Sequence, residues 1–293
     1  MTMAAISLLP GGMALSAEHR WNPPSHLGNR IMLYIELIRM EFVNNLAYRS
    51  SYLTGIFNYS IQIGAYFFLW DAIYSGRRIL GGLNKEEMIT YVIVAWVVRS
   101  FYFSNLDRRV AVEIREGKIA LELIRPYNYQ MVKFARAFGE ALFRMLFFAL
   151  PAGIFFYLIR PFGLPAGWQN GLIFLVTIAG SFVINAQISM IAGFLAFFTQ
   201  STSGIYRAKR VVMDLFSGLL LPISFYPDWA RDIIKLFPFQ VVSYMPNLIY
   251  LGKITGAAAL KVVILQLFWV AVLGVIGFFF WRFAVKHVVI QGG

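Results

Sequence analysis

The stretch VVILQLFWVAVLGVIGFFFW, residues 262–281, carries no charged side chain and a single amide, Gln266. A helix of ~20 apolar residues crosses the ~30 Å hydrocarbon core of a bilayer, so this stretch predicts a transmembrane helix. The whole chain has a matching composition, since 59% of its 293 residues are hydrophobic and only 14% are charged. Soluble domains contain about 45–50% apolar and about 25% charged residues. The composition therefore argues against a soluble enzyme and predicts an all-α integral membrane protein.

Five further apolar stretches precede this one, so the sequence predicts six transmembrane helices. The predicted spans lie near residues 52–74, 88–103, 141–159, 171–198, 211–227 and 262–281. The fifth is short and contains Gly218 and Pro222, which interrupt helices. At membrane depth the freed backbone groups are tolerated only where protein or a water-lined cavity satisfies them. We therefore expect the fifth span to be broken.

The first part of the chain does not resemble a span. Residues 1–30 contain several prolines and glycines and are predicted to form a mobile cytoplasmic extension. The next residues place an apolar stripe at helical spacing, made of Ile31, Ile35, Ile38, Phe42 and Leu46. Charged residues interrupt this segment, which favours a helix lying along the headgroups. The alternative is that it simply begins the first span.

The distribution of basic residues predicts the orientation. With the N-terminus inside, 17 Lys and Arg residues fall on the cytoplasmic side and 7 on the other. Cytoplasmic loops are enriched in Lys and Arg, so both termini are predicted to be cytoplasmic. The net charge of +12 is then explained by contact with anionic lipid headgroups rather than by a nucleic-acid partner.

The chemistry available in the chain is limited. Cysteine is absent, and none of the three histidines lies in a predicted span, which argues against a catalytic thiolate or a metal site at membrane depth. Gly117-Lys118 is followed by isoleucine, so the phosphate-binding loop pattern is missing. ATP would have to be hydrolysed by another chain. The acids Asp71 and Asp214 lie near span ends, which gives little support to the alternative of an ion-driven carrier.

The candidate polar groups inside the predicted spans are the amides Asn58, Gln62, Asn185 and Gln187. Asn58 and Gln62 are four residues apart and share one helix face, whereas Asn185 and Gln187 are two apart and do not. Polar groups at membrane depth either line a pathway or form hydrogen bonds between helices, and both roles remain open. A further alternative, a membrane-embedded enzyme acting on lipids, would need a tighter cluster of polar groups than these.

The loop over residues 104–140 contains a distinctive core, EIREGKIALELIRP, residues 113–126. Its acids and bases interleave with apolar residues, which is typical of a short amphipathic helix at a protein or membrane surface. The alternative is a solvated basic loop near the headgroups.

A second distinctive stretch, SGLLLPISFYPDW, covers residues 217–229. Here the fifth span breaks at Gly218 and Pro222 and turns at Pro227. Trp229 then lies at the interface, and Pro238 ends a short amphipathic helix. This pattern predicts an outer lid or half-inserted hairpin, with a plain loop as the alternative.

These two stretches resemble segments of a known family of membrane proteins. The pattern I-x-x-G-x-I-A-x-x-L-x-R-P at 114–126 resembles the cytoplasmic loop of the ABC-2-type transporter permease family. The pattern S-G-x-x-x-P-I-x-F-Y-P-x-W at 217–229, followed by Pro238-Phe239, is similar to the re-entrant fifth span of that family. Ala47-Tyr48-Arg49 and the final Gly-Gly also resemble its six-span subgroup of permease components. The resemblance covers residues 31–293 as a single transmembrane domain.

The resemblance implies a fold and a set of partners. The fold has six transmembrane helices, an N-terminal interfacial elbow helix, a cytoplasmic coupling helix and a re-entrant fifth span. The coupling helix fits a cleft on a separate ABC ATPase, and its contact residues here would be Glu113, Ile114, Arg115, Glu116, Gly117 and Lys118. Two ATPase copies would carry ATP and magnesium, while this chain would hold no cofactor.

The same resemblance implies pairing with a second permease, a related chain in a heterodimer or otherwise a second copy. The expected function is that of the permease subunit of an ATP-driven exporter in the bacterial inner membrane. The aromatic content of 17% suits an apolar or amphiphilic cargo, although aromatic belts at the interfaces would also account for it. The substrate itself does not follow from the family.

Overall fold

The computed structural model describes residues 27–47, 50–159, 161–199 and 201–287, so most of the predicted extension 1–30 lies outside the described residues. The α-helices of this part are α1 Leu27–Ala47, α2 Ser50–Ile73, α3 Lys85–Tyr102, α4 Leu106–Arg115, α5 Ile119–Leu123, α6 Tyr129–Arg144, α7 Leu150–Ile159, α8 Trp168–Phe194, α9 Ser203–Phe216, α10 Asp228–Lys235, α11 Tyr244–Tyr250 and α12 Gly256–Ala284. A short antiparallel hairpin, β1 Ile79–Leu80 and β2 Leu83–Asn84, precedes α3. One π-helical turn, Met145–Ala149, joins α6 to α7.

Four helical stretches of the described chain are long and apolar enough to cross a membrane. They are Lys85–Arg115, Tyr129–Ile159, Trp168–Phe197 and Gly256–Ala284. Helix α2 has 24 residues, a length of about 36 Å at ~1.5 Å per residue, but its tyrosines and amides make it less apolar. The all-α membrane class predicted from composition is confirmed.

Helix α3 is the centre of the bundle. An Asn84–Glu87 capping box fixes its start, with each side chain bonded to the backbone amide of the other residue. Almost every residue from Met88 to Tyr102 is buried. One part of α3 packs in a cluster with α2 and α7, and another part packs in a cluster with α8, α11 and α12. A span this enclosed is positioned by protein rather than by lipid.

The third predicted span, 141–159, forms the second part of a longer helical stretch. Helix α6 begins at Tyr129, and the helical path continues through the π-helical turn and α7 to Ile159. Helix α6 carries charges that would stop a free span. Three of them are paired in the fold, because Lys133 Nζ lies 2.6 Å from the Glu113 carboxylate and Arg144 lies 2.9 Å from Glu140.

The fifth predicted span also differs from the structure. The sequence placed it at 211–227, whereas α9 covers Ser203–Phe216 and stops where Gly218 adopts a φ of 84°. The chain then makes an excursion through α10 and returns, since the Tyr244 amide donates to the Ser217 carbonyl at 2.8 Å. We call residues 217–244 the outer hairpin, after the side of the membrane on which the sequence predicts it.

Helix α1 lies against α6. A Cβ on Gly139 of α6 would come within 2.4 Å of the Ile38 carbonyl oxygen, so the two backbones are in direct contact. Phe42 meets Phe143 edge to face with ring centroids 6.1 Å apart. Small residues allow helix backbones this close approach, and Gly139 therefore determines where α1 docks.

Candidate functional site

A cavity of about 580 Å³ opens between α2, α3, α6 and α9, and we call it the central cavity. Its lining mixes aromatic rings with amides and charged groups. The lining residues are Gly55, Asn58, Tyr59, Gln62, Tyr66, Trp96, Arg99, Phe103, Asn105, Glu140, Arg144, Phe148, Arg210, Asp214 and Leu220. Asn58 and Gln62 lie eight and twelve residues into α2, about 12 and 18 Å along the helix axis. The central cavity therefore extends along α2 to the middle of that helix.

A charged pair crosses this cavity. The Arg99 guanidinium of α3 donates to both carboxylate oxygens of Asp214 on α9, at 3.1 to 3.2 Å. The side chains of Arg99 and Asp214 are 10% and 20% exposed. Arg99 also lies over the rings of Trp96 and Phe103, 5.1 and 4.6 Å from their centroids. The pair ties two helices that are 115 residues apart in sequence.

A second network of charges continues from the cavity wall to α1. Arg144 pairs with Glu140 at 2.9 Å, Glu140 with Arg109 at 3.0 Å, and Arg109 with Glu41 at 2.8 Å. Arg144 also donates to the Phe103 carbonyl. The network links α1, α4 and α6 around the cavity. A movement of α4 would thus also displace Glu140 and Arg144 in the wall of the cavity.

The structure separates the two pairs of predicted pathway amides. Asn58 and Gln62 are exposed and line the central cavity. Asn185 instead donates to the Tyr102 carbonyl at 2.6 Å, and Gln187 donates to the Val270 carbonyl at 3.0 Å. Asn185 and Gln187 therefore connect helices and are absent from the cavity lining. The spacing rule that placed Asn58 and Gln62 on one face agrees with their shared position.

The predicted coupling segment is not one continuous helix. Helix α4 ends at Arg115, Gly117 adopts a left-handed φ of 69°, and α5 begins at Ile119. Glu116, Gly117 and Lys118 form the exposed turn between the two helices. The hydrogen bond and charge of Glu116 raise the pKa of the Lys118 ammonium, so it stays charged at neutral pH. The result is a projecting turn that carries both signs of charge.

The other predicted coupling residues divide into two groups. Glu113 and Ile114 face inward, because Glu113 accepts hydrogen bonds from Lys133 and Tyr129 and Ile114 packs on the core. Beyond the turn, Leu121 and Ile124 are 61% and 80% exposed. Exposed apolar residues beside a charged turn are typical of an interaction surface. We call residues 115–124 the α4–α5 surface.

The outer hairpin packs closely against the rest of the protein at Gly218. Gly218 accepts a hydrogen bond from the buried Tyr91 phenol, and a Cβ at Gly218 would lie 2.8 Å from the Cβ of Tyr244. Pro222 precedes a single 3-10 turn, and Pro227 is the N-cap of α10. Trp229 on α10 is 69% exposed. Pro238 starts a 3-10 turn two residues after the C-cap of α10.

Sequence reasoning missed the residues that enclose the central cavity. Trp96, Arg99, Glu140 and Arg144 are all at least nine-tenths buried. The only signal was the presence of Arg99 and Arg144 close to the ends of predicted spans, because buried charges require partners. Within the described residues, no group of three or more His, Cys, Asp or Glu side chains could hold a metal ion.

Comparison with known proteins places this architecture in a family. No curated protein matches the sequence. The sequence model described as ABC-2 family transporter protein matches residues 60–292, from the middle of α2 beyond the end of α12. That match covers well over half of the chain. The chain therefore belongs to the ABC-2 family of transporter proteins, the membrane permease components of ABC transporters.

Proposed function

We propose that this chain is the permease subunit of an ATP-driven exporter, which moves an apolar or amphiphilic substrate outward. ATP and magnesium would be bound by two copies of a separate ABC ATPase. The observation that carries this proposal is the central cavity, where Asn58 and Gln62 are exposed on a helix of membrane-spanning length.

Exposed amides at membrane depth are costly against lipid and are found where they face a cavity or another protein. The open face of α2 would therefore be covered by a second permease, a related chain or a second copy. The shared cavity would then combine rings such as Tyr59 and Phe148 with the amides and charges on its walls. Such a mixed lining suits an amphiphile better than a simple ion.

The α4–α5 surface supplies the contact with the ATPase in this proposal. It projects a turn with both signs of charge, followed by the exposed apolar residues Leu121, Leu123 and Ile124. Its neighbour α4 is tied to the wall of the central cavity by the Arg109–Glu140 ion pair. Closure of the ATPase would thus displace α4 and reshape the cavity.

The proposal includes six spans, a bacterial inner membrane location and both termini inside. Single cysteines test the orientation cleanly, because the natural sequence has none. Ser75→Cys and Ala166→Cys should react with an impermeant thiol reagent in intact cells, whereas Ser203→Cys should react only after lysis. All three positions are exposed. Labelling of Ser203→Cys in intact cells would overturn the six-span topology.

The decisive experiment is ATP-driven transport. The tagged chain is purified from its own cells with the proteins that accompany it, and the complex is reconstituted into liposomes. External ATP reaches only those complexes whose ATPase side faces outward. We therefore expect a fluorescent amphiphile to accumulate in the liposomes only when ATP and magnesium are added outside. The matched control contains an ATPase variant that binds but does not hydrolyse ATP. Accumulation driven by a proton or sodium gradient without ATP would favour the carrier, and the absence of any accompanying ATPase would contradict the proposal.

A further inference from the structure

A second cavity, of about 470 Å³, lies where α3 ends, between α4 and the start of α9. Its charged lining residues are Asp107, Arg108, Arg115, Arg207, Lys209 and Arg210. Five cations therefore face one carboxylate. We call this the basic cavity.

The single carboxylate, that of Asp107, is already paired with a lysine. Asp107 is 4% exposed, and its oxygen lies 2.7 Å from Lys209 Nζ, which also donates to Ser189 at 2.9 Å. Within the described residues, Arg108, Arg115 and Arg207 have no carboxylate in ion-pair distance, and all three are exposed. Three guanidinium groups with no counter-ion are left around one concave surface. Such a surface concentrates anions.

The basic cavity also contains an unused buried donor. Ser104 is 1% exposed, lines the cavity, and its hydroxyl has no hydrogen-bond partner among the described residues. Buried hydroxyl groups are nearly always hydrogen-bonded in folded proteins. Thr202, which is fully buried on the opposite wall, directs its hydroxyl to Tyr206. An anion in the basic cavity would supply the missing counter-ion of the guanidinium groups, and the Ser104 hydroxyl lies in the same wall.

The basic cavity adjoins the central cavity. Phe103, Asn105 and Arg210 line both. Arg210 lies over the Phe103 ring with its guanidinium carbon 5.1 Å from the centroid. A ligand that spans both cavities would have its charged group among the arginines and its apolar part beside the aromatic rings. The geometry combines an anion site with an apolar compartment.

We propose that the basic cavity binds the phosphate-bearing headgroup of an amphiphile, with its apolar portion directed to the central cavity. Guanidinium groups bind phosphate oxygens in bidentate geometry with charge-assisted hydrogen bonds. A recessed cavity that leads to an aromatic compartment fits a headgroup better than it fits an acidic surface of an ATPase. The role of this amphiphile as transported substrate rests on the proposed function, whereas headgroup binding at equilibrium does not.

Binding is tested with the full chain in nanodiscs made only of phosphatidylcholine, using inorganic pyrophosphate as the probe in titration calorimetry. We expect saturable binding to the natural chain. The variant Arg108→Gln with Arg207→Gln removes two unpaired cations and should weaken binding at least about tenfold. The matched control, Arg77→Gln with Arg78→Gln, makes the same charge change in exposed residues that line neither cavity. It should change the affinity less than about twofold.

A second arm identifies the source of the phosphate. In nanodiscs that contain a minority of phosphatidic acid, the lipid headgroup should occupy the site and weaken pyrophosphate binding. Unchanged pyrophosphate affinity in these nanodiscs would overturn the assignment to an amphiphile.

Absence of pyrophosphate binding, or an equal loss in the control variant, would overturn the anion site. Loss of ATPase association in the Arg108→Gln, Arg207→Gln variant with unchanged pyrophosphate binding would instead assign this surface to the ATPase. Failure of ATP-driven transport with binding intact would refute only the proposed function.

Discussion

The Arg99–Asp214 pair makes a quantitative prediction, because it is the charged contact that joins α3 and α9 across the central cavity. Replacing Asp214 with asparagine leaves the Arg99 guanidinium 10% exposed and without a carboxylate. Removing one partner of a buried ion pair costs about 3–5 kcal/mol. The contacts of Arg99 with Trp96 and Phe103 and the partial exposure of the site reduce this, so we expect about 2–3 kcal/mol.

The measurement is thermal unfolding of the purified chain in detergent, where this loss should lower the midpoint by about 4–8 °C. The matched control is Asp228→Asn, which breaks an ion pair whose carboxylate is 88% exposed and should cost about 0–1 kcal/mol. The double variant Arg99→Met with Asp214→Leu removes both charges and should recover most of the stability. It should nevertheless fail to transport. Equal midpoints for Asp214→Asn and Asp228→Asn would refute the structural role of the pair, and normal transport by the double variant would refute its role in the pathway.

Three glycines provide the remaining predictions. Gly218→Ala adds both a left-handed alanine and an overlap in the outer hairpin, so it should cost about 2–4 kcal/mol in thermal unfolding. Gly76→Ala, with a similar φ of 79° and open space, should cost only about 1–2 kcal/mol, and equal losses would contradict the close approach. Gly139→Ala should cost about 1–3 kcal/mol and increase proteolysis of α1, whereas unchanged digestion would show that α1 is held by other contacts. Gly117→Trp should fold, since a Cβ at this position meets open space. It should associate with the ATPase less than Gly117→Ala does, which bears the same backbone strain. Equal association of the two variants would argue against the α4–α5 surface as the ATPase contact.

The sequence predicted best those elements whose signal is local. The apolar run 262–281 lies inside α12, Gly256–Ala284, and the predicted fourth span 171–198 corresponds to α8 and the turn that follows it. Both helices are apolar throughout, so hydropathy alone defines them. The predicted third span, 141–159, leaves out the first twelve residues of the helical stretch that begins at Tyr129, because its charges are tolerated through partners such as Glu113. Hydropathy measures the cost of a charge but carries no information about its partner.

In the candidate site, too, local features were predictable from the sequence and long-range contacts were not. The spacing of Asn58 and Gln62 placed them on one face of α2, and both line the central cavity. The Arg99–Asp214 pair could not be found this way, since its members are separated by 115 residues and meet only when α9 packs beside α3. The break at Gly218 was readable from local composition, whereas the return of the chain to Ser217 depends on a hydrogen bond from Tyr244. Pairings at long sequence separation require the fold itself.

Helix α9 connects α4, the central cavity and the outer hairpin. In its middle Lys209 forms an ion pair with Asp107 of α4, which connects α9 to α4 and the basic cavity. One turn later Asp214 holds Arg99 across the central cavity. At its end Ser217 and Gly218 form the base of the outer hairpin. Because the helix is a single rigid element of 14 residues, a shift of α4 that moves Lys209 must also move Asp214 and the hairpin base. In the proposed function, the same short helix would thus convey closure of the ATPase to both the central cavity and the base of the outer hairpin.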